Sequence, residues 1–503
     1  MSDLKQEPAQ RTYGGFTPVG RRGLFGLSLW ALFGVLLALL PVLVLWMVAG
    51  VKWGLLASGV LVALVIPLVV PKRDGRGLYE RWAGRLADVF GAAAGNRDLV
   101  NGPGGNAPDG SFRLPGLATD SSLSTHVDVY GHEFALISYP RVRHHVVVFE
   151  CYPTGNSLVD QQAIDRAVAH WGAWLAHLGT EQRIVAASVT VETATDTGLR
   201  LRRAVTSRLS PIAPRFAQAV VGSILETFNA AAPAINTKIA VTLSGRASSR
   251  DDEGVDQDEI VAELSTIVPT LRDGLRVTGA GATVRSCTAS DLVDYVRVAY
   301  DPASGPDVEQ LRGMGQGTGL RWDEAGPAVA YTHRDYYLHD GVVSTSWTMA
   351  SGPRSIIYDS ALSNLMRPEA RVLRKRVTVL YRPEPAERTT AIVDQMENNS
   401  IFAASMGRNR ARHGIAQAHA KQMASEEARG AGLVRQGLVV TCTVPSADDL
   451  RIARQVVTTQ AASTRMKIRA AAGSQDAAFL ASLPLGISLP HHSPIPVEMK
   501  DAL

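Results

Sequence analysis

Two short stretches of the sequence contain residue types that nucleotide chemistry uses. The glycine-rich stretch from Gly313 to Gly319 lacks the lysine of a G-x-x-x-x-G-K-[ST] phosphate loop, and that pattern occurs nowhere in the chain. The tripeptide His333-Arg-Asp335 has the residues of a kinase catalytic loop, but the downstream asparagine and the accompanying glycine-rich loop are missing. We interpret the first stretch as a flexible connector and the second as a chance match.

Cysteine, histidine and acidic residues are spaced too irregularly to predict a metal site. The adjacent histidines in His144-His145 and His491-His492 would point to opposite faces of a strand. The acidic run from Asp251 to Glu259 lacks the spacing of a calcium loop and suits the start of a helix instead. The cysteines form no C-x-x-C pair; they are Cys151, Cys287 and Cys442. The sequence therefore predicts no catalytic residue, no metal and no cofactor.

Basic residues form three clusters that could contact nucleic acid or anionic lipid. The formal net charge is only +4, so we interpret the clusters as solvated faces or as rims of a protein interface, and we predict no direct contact with nucleic acid. The clusters are Arg200, Arg202, Arg203 and Arg208; Arg371, Arg374, Lys375 and Arg376; and Arg408, Arg410 and Arg412.

A long apolar run from Leu24 to Val70 precedes these residues and contains one charged residue, Lys52. Because a membrane helix needs roughly 20 apolar residues, the run predicts a transmembrane hairpin of two helices, over 24–48 and 53–70. Basic residues flank the run on both sides. The basic flanks of membrane helices generally stay in the cytoplasm. We therefore predict a multi-pass protein of the inner cell membrane with both termini cytoplasmic.

The remaining chain has an ordinary globular composition, with 46% hydrophobic and 19% charged residues. Strand and helix patterns alternate along it, which predicts helices packed on mixed sheets. Clear helix patterns cover Asp160–Leu178, Ser290–Tyr300 and Ser446–Ala462, and weaker ones cover Leu78–Ala94 and the alanine-rich stretch Ala386–Arg429.

The predicted fold class is α+β, with an N-terminal two-helix membrane hairpin followed by α/β cytoplasmic domains, the last of them ferredoxin-like. The predicted regions are a cytoplasmic tail over 1–23, the hairpin over 24–70, an amphipathic helix and linker over 77–120, an α/β domain over 121–310, a second domain over 311–490 and a tail over 491–503.

Segments of the last quarter stand in the order of a known pattern: Leu373 to Pro383, the alanine-rich helix, Gly437 to Val444, and Ala477 to Gly486. Together they resemble the N-terminal, non-ATPase region of the CagE/TrbE/VirB family of type IV secretion and conjugation ATPases. The segment Leu24-Phe-Gly-Leu-Ser-Leu-Trp30 is similar to the start of PrgI-type small membrane subunits. The whole chain is similar to an actinobacterial family in which the two parts are fused, and no catalytic residue carries over.

The resemblance implies a non-catalytic inner-membrane scaffold of a type IV-like secretion or conjugation apparatus that docks a separate secretion ATPase. The implied partners are inner-membrane lipid, that ATPase, other subunits of the secretion channel and further copies of the chain. One alternative is a type VII secretion component of the EccE kind. The other is a membrane-tethered enzyme with an unrecognised site, for which His333, Asp335 and Asp340 are the residues to replace.

Overall fold

The structure is a computed structural model. It describes residues 12–13, 29–48, 50–69, 98–107, 110–153, 155, 159–210, 212–228, 233–245, 257–353, 357–385, 388–390, 392–394, 423, 425 and 432–492. The predicted helix over Leu78–Ala94, nearly all of the alanine-rich stretch after Thr390 and the basic cluster at 408–412 lie outside these residues.

Two apolar helices, α1 (Leu29–Val48) and α2 (Val51–Val69), lie within the long apolar run. They contact each other where Trp46 Nε1 donates a hydrogen bond to Ser58 Oγ at 3.1 Å. In the described residues no helix has both the length and the apolar character that crossing a membrane requires. This finding contradicts the predicted transmembrane hairpin and the multi-pass inner-membrane location, and both are withdrawn.

One antiparallel sheet of 13 strands dominates the rest of the described chain. Its order is β2-β9-β10-β11-β14-β13-β6-β7-β5-β4-β3, with β15 beside β11 and β8 beside β5. A separate two-stranded sheet pairs β1 (Thr12–Tyr13) with β12 (Ile357–Tyr358). The strands of the large sheet are β2 (Asp98–Val100), β3 (Ser122–Val127), β4 (Glu133–Tyr139), β5 (His144–Cys151), β6 (Ile184–Thr195), β7 (Pro233–Ser244), β8 (Val284–Ser286), β9 (Val329–Thr332), β10 (Tyr337–His339), β11 (Val342–Ser351), β13 (Arg374–Pro383), β14 (Val434–Val444) and β15 (Lys467–Ala470).

This sheet contradicts the predicted fold class, a membrane hairpin followed by α/β domains with a ferredoxin-like end. Strands from both sides of residue 310 belong to the same sheet, because β6 pairs with β13 from Ala194–Arg374 to Ala187–Tyr381. The sequence shows where strands are, through the alternation of their side chains, but pairing between strands almost 190 residues apart leaves no local pattern. The sequence pattern therefore could not show that the strands after residue 310 join the strands before it in one sheet.

Helices cover both faces of the sheet. Alternate strand residues point to opposite faces. On one face Val147 and Ile239 pack with α3 (Gln161–Thr180) and α6 (Gln257–Arg276). On the other face Val146 and Ala240 pack with α7 (Ala289–Tyr300) and α11 (Gln475–Ser482). We call these the α3 face and the α7 face; α9 and α10 lie with the second half of the sheet. The helices are α3 (Gln161–Thr180), α4 (Leu199–Thr206), α5 (Arg215–Phe228), α6 (Gln257–Arg276), α7 (Ala289–Tyr300), α8 (Gly305–Gly313), α9 (Ser363–Met366), α10 (Leu450–Ala462) and α11 (Gln475–Ser482).

The order and pairing of the elements repeat along the chain. The hairpin β4–β5 is followed by α3, β6, α4, α5, β7, α6, β8 and α7, and the hairpin β10–β11 is followed by β12, α9, β13, β14, α10, β15 and α11. The described elements correspond in order apart from α4, α5 and β12. In the first series β5 pairs with β7 and β8, and in the second β11 pairs with β14 and β15. We call the two series the first and second repeats; they meet at the antiparallel pair of β6 and β13.

Equivalent hydrogen bonds support this correspondence. Cys287 N donates to Val148 O at 2.8 Å in the first repeat, and Ala471 N donates to Ser346 O at 2.9 Å in the second. The repeats also exchange contacts: the last residue of β4, Tyr139, donates from Oη to Leu485 O at 2.9 Å after α11. The last residue of β10, His339, makes the matching contact, because its Nδ1 donates to the carbonyl oxygen of Tyr300 at the end of α7, 2.5 Å away. Together these contacts indicate an approximate two-fold relation between the repeats.

Candidate functional site

An open groove crosses the middle of the sheet on the α3 face, with a volume of about 970 Å³. Its floor consists of outward-pointing residues of the central strands, including Val189 of β6 and Val379 of β13. Ile164 and Val168 of α3 form one wall, and the segment from Leu362 to Pro368 lies on the other side. The groove therefore lies where the two repeats meet.

The groove exists because the connection before β6 contains a much longer helix than the corresponding connection before β13. The first repeat places the 20-residue helix α3 between its hairpin and β6. The second repeat has the four-residue helix α9 in the corresponding position, before β13. A short helix covers less of the sheet, so the apolar strand residues next to α3 stay open to solvent.

Aromatic side chains make the α3 wall rigid. Trp171 stacks on Trp174 with ring centroids 5.0 Å apart, and Tyr381 meets the Trp171 ring edge-on at 5.6 Å. Trp174 is anchored in turn, because its Nε1 donates to Leu271 O of α6 at 3.2 Å. Such a wall keeps its shape when a ligand binds, which lowers the entropic cost of binding.

The polar groups of the groove suit binding and not proton transfer. In the described part of the chain, no Asp, Glu, His or Cys lines the groove. Its two charged residues are Arg276, which pairs with Asp273 at 3.5 Å, and Arg367, which is exposed. The phenol of Tyr381 also lines the groove, and burial raises its pKa to about 12, away from the neutral range in which a general acid or base works best.

A second apolar surface lies on α5. Four apolar side chains recur every four residues, one in the turn before α5 and three within the helix. They are exposed to 93% at Ile212, 82% at Phe216, 41% at Val220 and 43% at Ile224. We call these four residues the α5 stripe. This exposure is unusual, since the apolar side of an amphipathic helix normally packs on its own domain.

The residues considered for an unrecognised catalytic site lie in the turns on either side of β10. His333 stacks on Tyr336 with centroids 4.3 Å apart. The main-chain oxygen of Asp335 accepts a hydrogen bond from Thr345 at 3.1 Å. Asp340 occupies the β10–β11 turn, where its carboxylate binds Arg297 at 2.7 Å and accepts from the Ala328 amide at 2.7 Å.

The basic cluster at 371–376 is not the solvated face that the sequence suggested. Lys375 and Arg376 are fully buried, on opposite faces of β13. Lys375 Nζ donates to Arg367 O and to Gln460 Oε1, and burial lowers its pKa to about 8. Arg371 alone is exposed, where it pairs with Glu369 at 2.8 Å. The cluster therefore belongs to the interior and not to an interface rim.

The glycine-rich stretch is anchored at one point. Thr318 donates to the buried carboxylate of Asp294, from its hydroxyl at 2.6 Å and from its amide at 3.2 Å. Arg312 Nε binds the same carboxylate at 2.8 Å. The stretch therefore follows α8 as a tethered loop.

Potentially reactive groups elsewhere are buried. The three cysteines are free and buried, and burial raises the pKa of each thiol to about 12; they are Cys151, Cys287 and Cys442. Among the residues with described positions, no group of three or more His, Cys, Asp or Glu side chains is arranged to hold a metal ion. Thiols that stay protonated are poor nucleophiles and poor metal ligands.

Comparison with known proteins gives one match. A family described as a domain of unknown function, DUF8461, matches residues 20–80, which is a small part of the chain. No curated protein matches the sequence. These comparisons give no sign of type IV secretion or conjugation, and they do not test the resemblance to its ATPase family.

Proposed function

We propose that this protein is a non-catalytic scaffold subunit whose copies join by placing the α5 stripe of one copy in the groove of the next. The observation that carries this proposal is that one chain presents both an open apolar groove and an exposed apolar helix. The groove is open to solvent, and Ile212 and Phe216 of the stripe are more than four-fifths exposed. Exposed apolar patches of this kind mark interaction sites.

The shape and apolar lining of the groove favour a helix as its occupant. Amphipathic helices bind apolar grooves through side chains spaced three or four residues apart, which is the spacing of Ile212, Phe216, Val220 and Ile224. Burying each large apolar side chain contributes roughly 1.5–3 kcal/mol.

The contact joins two different surfaces, so the assembly is head-to-tail. A head-to-tail contact closes into a ring when its rotation allows and otherwise grows into a filament. Either product is a scaffold that presents many copies of the α7 face.

Charged substitutions at exposed positions test the proposal without disturbing the core. Phe216→Asp alters the stripe and Ile235→Asp alters the groove, where Ile235 is 54% exposed. We expect mass photometry over micromolar concentrations to show multimers of the wild-type chain and monomers of either variant. Mixing the two variants should restore dimers and nothing larger, because each retains the surface that the other lacks.

Val127→Asp is the matched control, since Val127 is an exposed apolar residue outside both surfaces. It should assemble like the wild-type chain. The helices α1 and α2 are the same in every variant, so any association through them cancels in the comparison. A monomeric wild-type chain would overturn the proposal, and so would multimers of Phe216→Asp equal to those of the control.

Other roles inferred from the sequence stay predictions. A separate ATPase remains a candidate partner of the scaffold, and the type VII component remains an alternative identity. A catalytic role remains testable by alanine replacement of His333, Asp335 and Asp340.

A further inference from the structure

A second, smaller cavity lies on the α7 face of the sheet, with a volume of about 280 Å³. Its floor is a row of residues in which Ser188 of β6 lies opposite Leu380 of β13, and Leu380 lies opposite Gly437 of β14. Opposed residues of antiparallel strands share one face of a sheet. Ser188 also lies opposite Ala240, which packs on the α7 face. The sheet therefore separates this cavity from the groove.

The segment from Gly486 to Pro490 forms the roof of the cavity. Its start is fixed, because Thr242 Oγ1 donates to Gly486 O at 2.7 Å. Gly486 has a φ of +64° and lies so close to the sheet that a Cβ atom there would be 2.5 Å from Val146 Cγ1. An anchored roof holds the cavity in shape before a ligand binds, which lowers the entropic cost of binding.

The floor contains a hydroxyl group without a partner in the described structure. Ser188 is 4% exposed and lines the cavity, and its Oγ makes no hydrogen bond to any described residue. A buried hydroxyl without a partner costs free energy that a ligand can recover. Gly437 leaves room beside it, since a Cβ atom there would approach Leu380 alone among the described residues, at 3.5 Å.

Two arginines complete the polar part of the lining. Arg382 and Arg435 lie opposite each other in the β13–β14 pair, two residues from Leu380 and Gly437, so they share the same face. Nε of Arg435 also pairs with Glu384 Oε1. The described lining contains no Asp, Glu or Lys. Arginine side chains are the common partners of carboxylates, which they bind through parallel N–H groups.

We propose that this cavity binds a small monocarboxylate with an apolar chain. The chain would lie between Leu380 and Leu489, which belong to the same apolar cluster. The carboxylate would accept hydrogen bonds from Ser188 Oγ and from the guanidinium groups of Arg382 and Arg435. The volume lies just below the range of roughly 300–1,000 Å³ that holds drug-sized molecules, so the ligand is small.

Titration calorimetry of the full chain with three compounds of one chain length tests this assignment. Octanoate, octanol and octylamine differ in the polar group alone. We expect octanoate to bind at least about ten-fold more tightly than octanol, because the carboxylate adds charge-assisted hydrogen bonds. Octylamine should not bind, because its ammonium group would meet two guanidinium groups.

Substitutions then assign the binding to this cavity. Gly437→Val fills the floor and should abolish binding of octanoate. Ser188→Ala keeps the shape of the floor and should weaken binding about ten-fold. Arg382→Gln should reduce the affinity for octanoate towards that for octanol.

Two control variants keep the cavity intact. Ile235→Asp alters the groove on the other face, and Arg371→Gln deletes an exposed arginine outside the cavity, so both should bind octanoate like the wild-type chain. The proposal is wrong if octanoate does not bind to the wild-type chain, or if octanol binds equally well. It is also wrong if Gly437→Val and Ser188→Ala both bind octanoate as the control variants do.

Discussion

His339 shows how single residues in this fold depend on distant partners. Its Nδ1 lies 2.5 Å from Tyr300 O, to which it donates, and its Nε2 lies 2.8 Å from Ser344 Oγ. Burial lowers the pKa of the ring to about 3, against the raising effect of the Tyr300 carbonyl. The sequence does not reveal this position, or that of Arg376, because both residue types are usually exposed. Partners from both repeats bury them: Tyr300 and Glu192 from the first repeat and Phe479 from the second, all remote in the chain.

The buried neutral state of His339 makes stability depend on pH. The unfolded chain binds a proton at this residue below about 6.5, and the folded chain does so only near 3. The neutral ring therefore contributes fully to the free energy of unfolding above pH 6.5. This contribution is lost as the pH falls from 6.5 towards 3, by about 1.4 kcal/mol per pH unit. Urea unfolding at several pH values gives the slope of the free energy of unfolding against pH. Between pH 3 and 6.5 the slope for His339→Gln should be smaller than that of the wild-type chain by the equivalent of one proton. An unchanged slope would contradict the neutral, buried state.

At the scale of elements, the sequence predicted where helices lie but not which part of the sheet each helix covers. The apolar spacing predicted α3 over 160–178, and the helix spans Gln161–Thr180. The helix predicted over 290–300 is α7, Ala289–Tyr300. The groove could not be predicted, because it depends on the second repeat having a short helix where the first has a long one. That comparison requires the sheet order, which the local pattern does not contain.

The start of α7 provides an element-level prediction. Thr288 Oγ1 accepts from the Asp291 amide at 3.3 Å, and the Asp291 carboxylate accepts from the Thr288 amide at 3.0 Å, which together form a capping box. Thr288→Ala should lower the free energy of unfolding by about 1 kcal/mol. Thr206→Ala, at the exposed end of α4, is the control and should change it by less than about 0.5 kcal/mol. Equal effects in urea unfolding would show that the box contributes nothing.

At the scale of the whole molecule, the two repeats meet around a pair of threonines. Thr190 and Thr378 lie in the same tripeptide, Val-Thr-Val, and their hydroxyl oxygens are 3.0 Å apart at the centre of the sheet. This tripeptide is a trace of the repeat in the sequence, but three residues are too few to reveal it in advance. The apolar N-terminal run dominated the sequence interpretation, and its membrane assignment was contradicted. The groove and the α5 stripe emerged only from the three-dimensional arrangement.

The central claim, that copies join through the groove and the α5 stripe, is tested most directly by site-specific cross-linking. The native cysteines are buried with raised pKa values, so a bis-maleimide should react only with introduced thiols. A chain with Phe216→Cys and Ile235→Cys should give a ladder of covalent multimers, because position 216 of one copy lies beside position 235 of the next. The control chain carries Val127→Cys and Ile235→Cys, at two positions that are 55% and 54% exposed. It should stay monomeric after treatment. If the first chain cross-links no more than the second, copies do not join in this way.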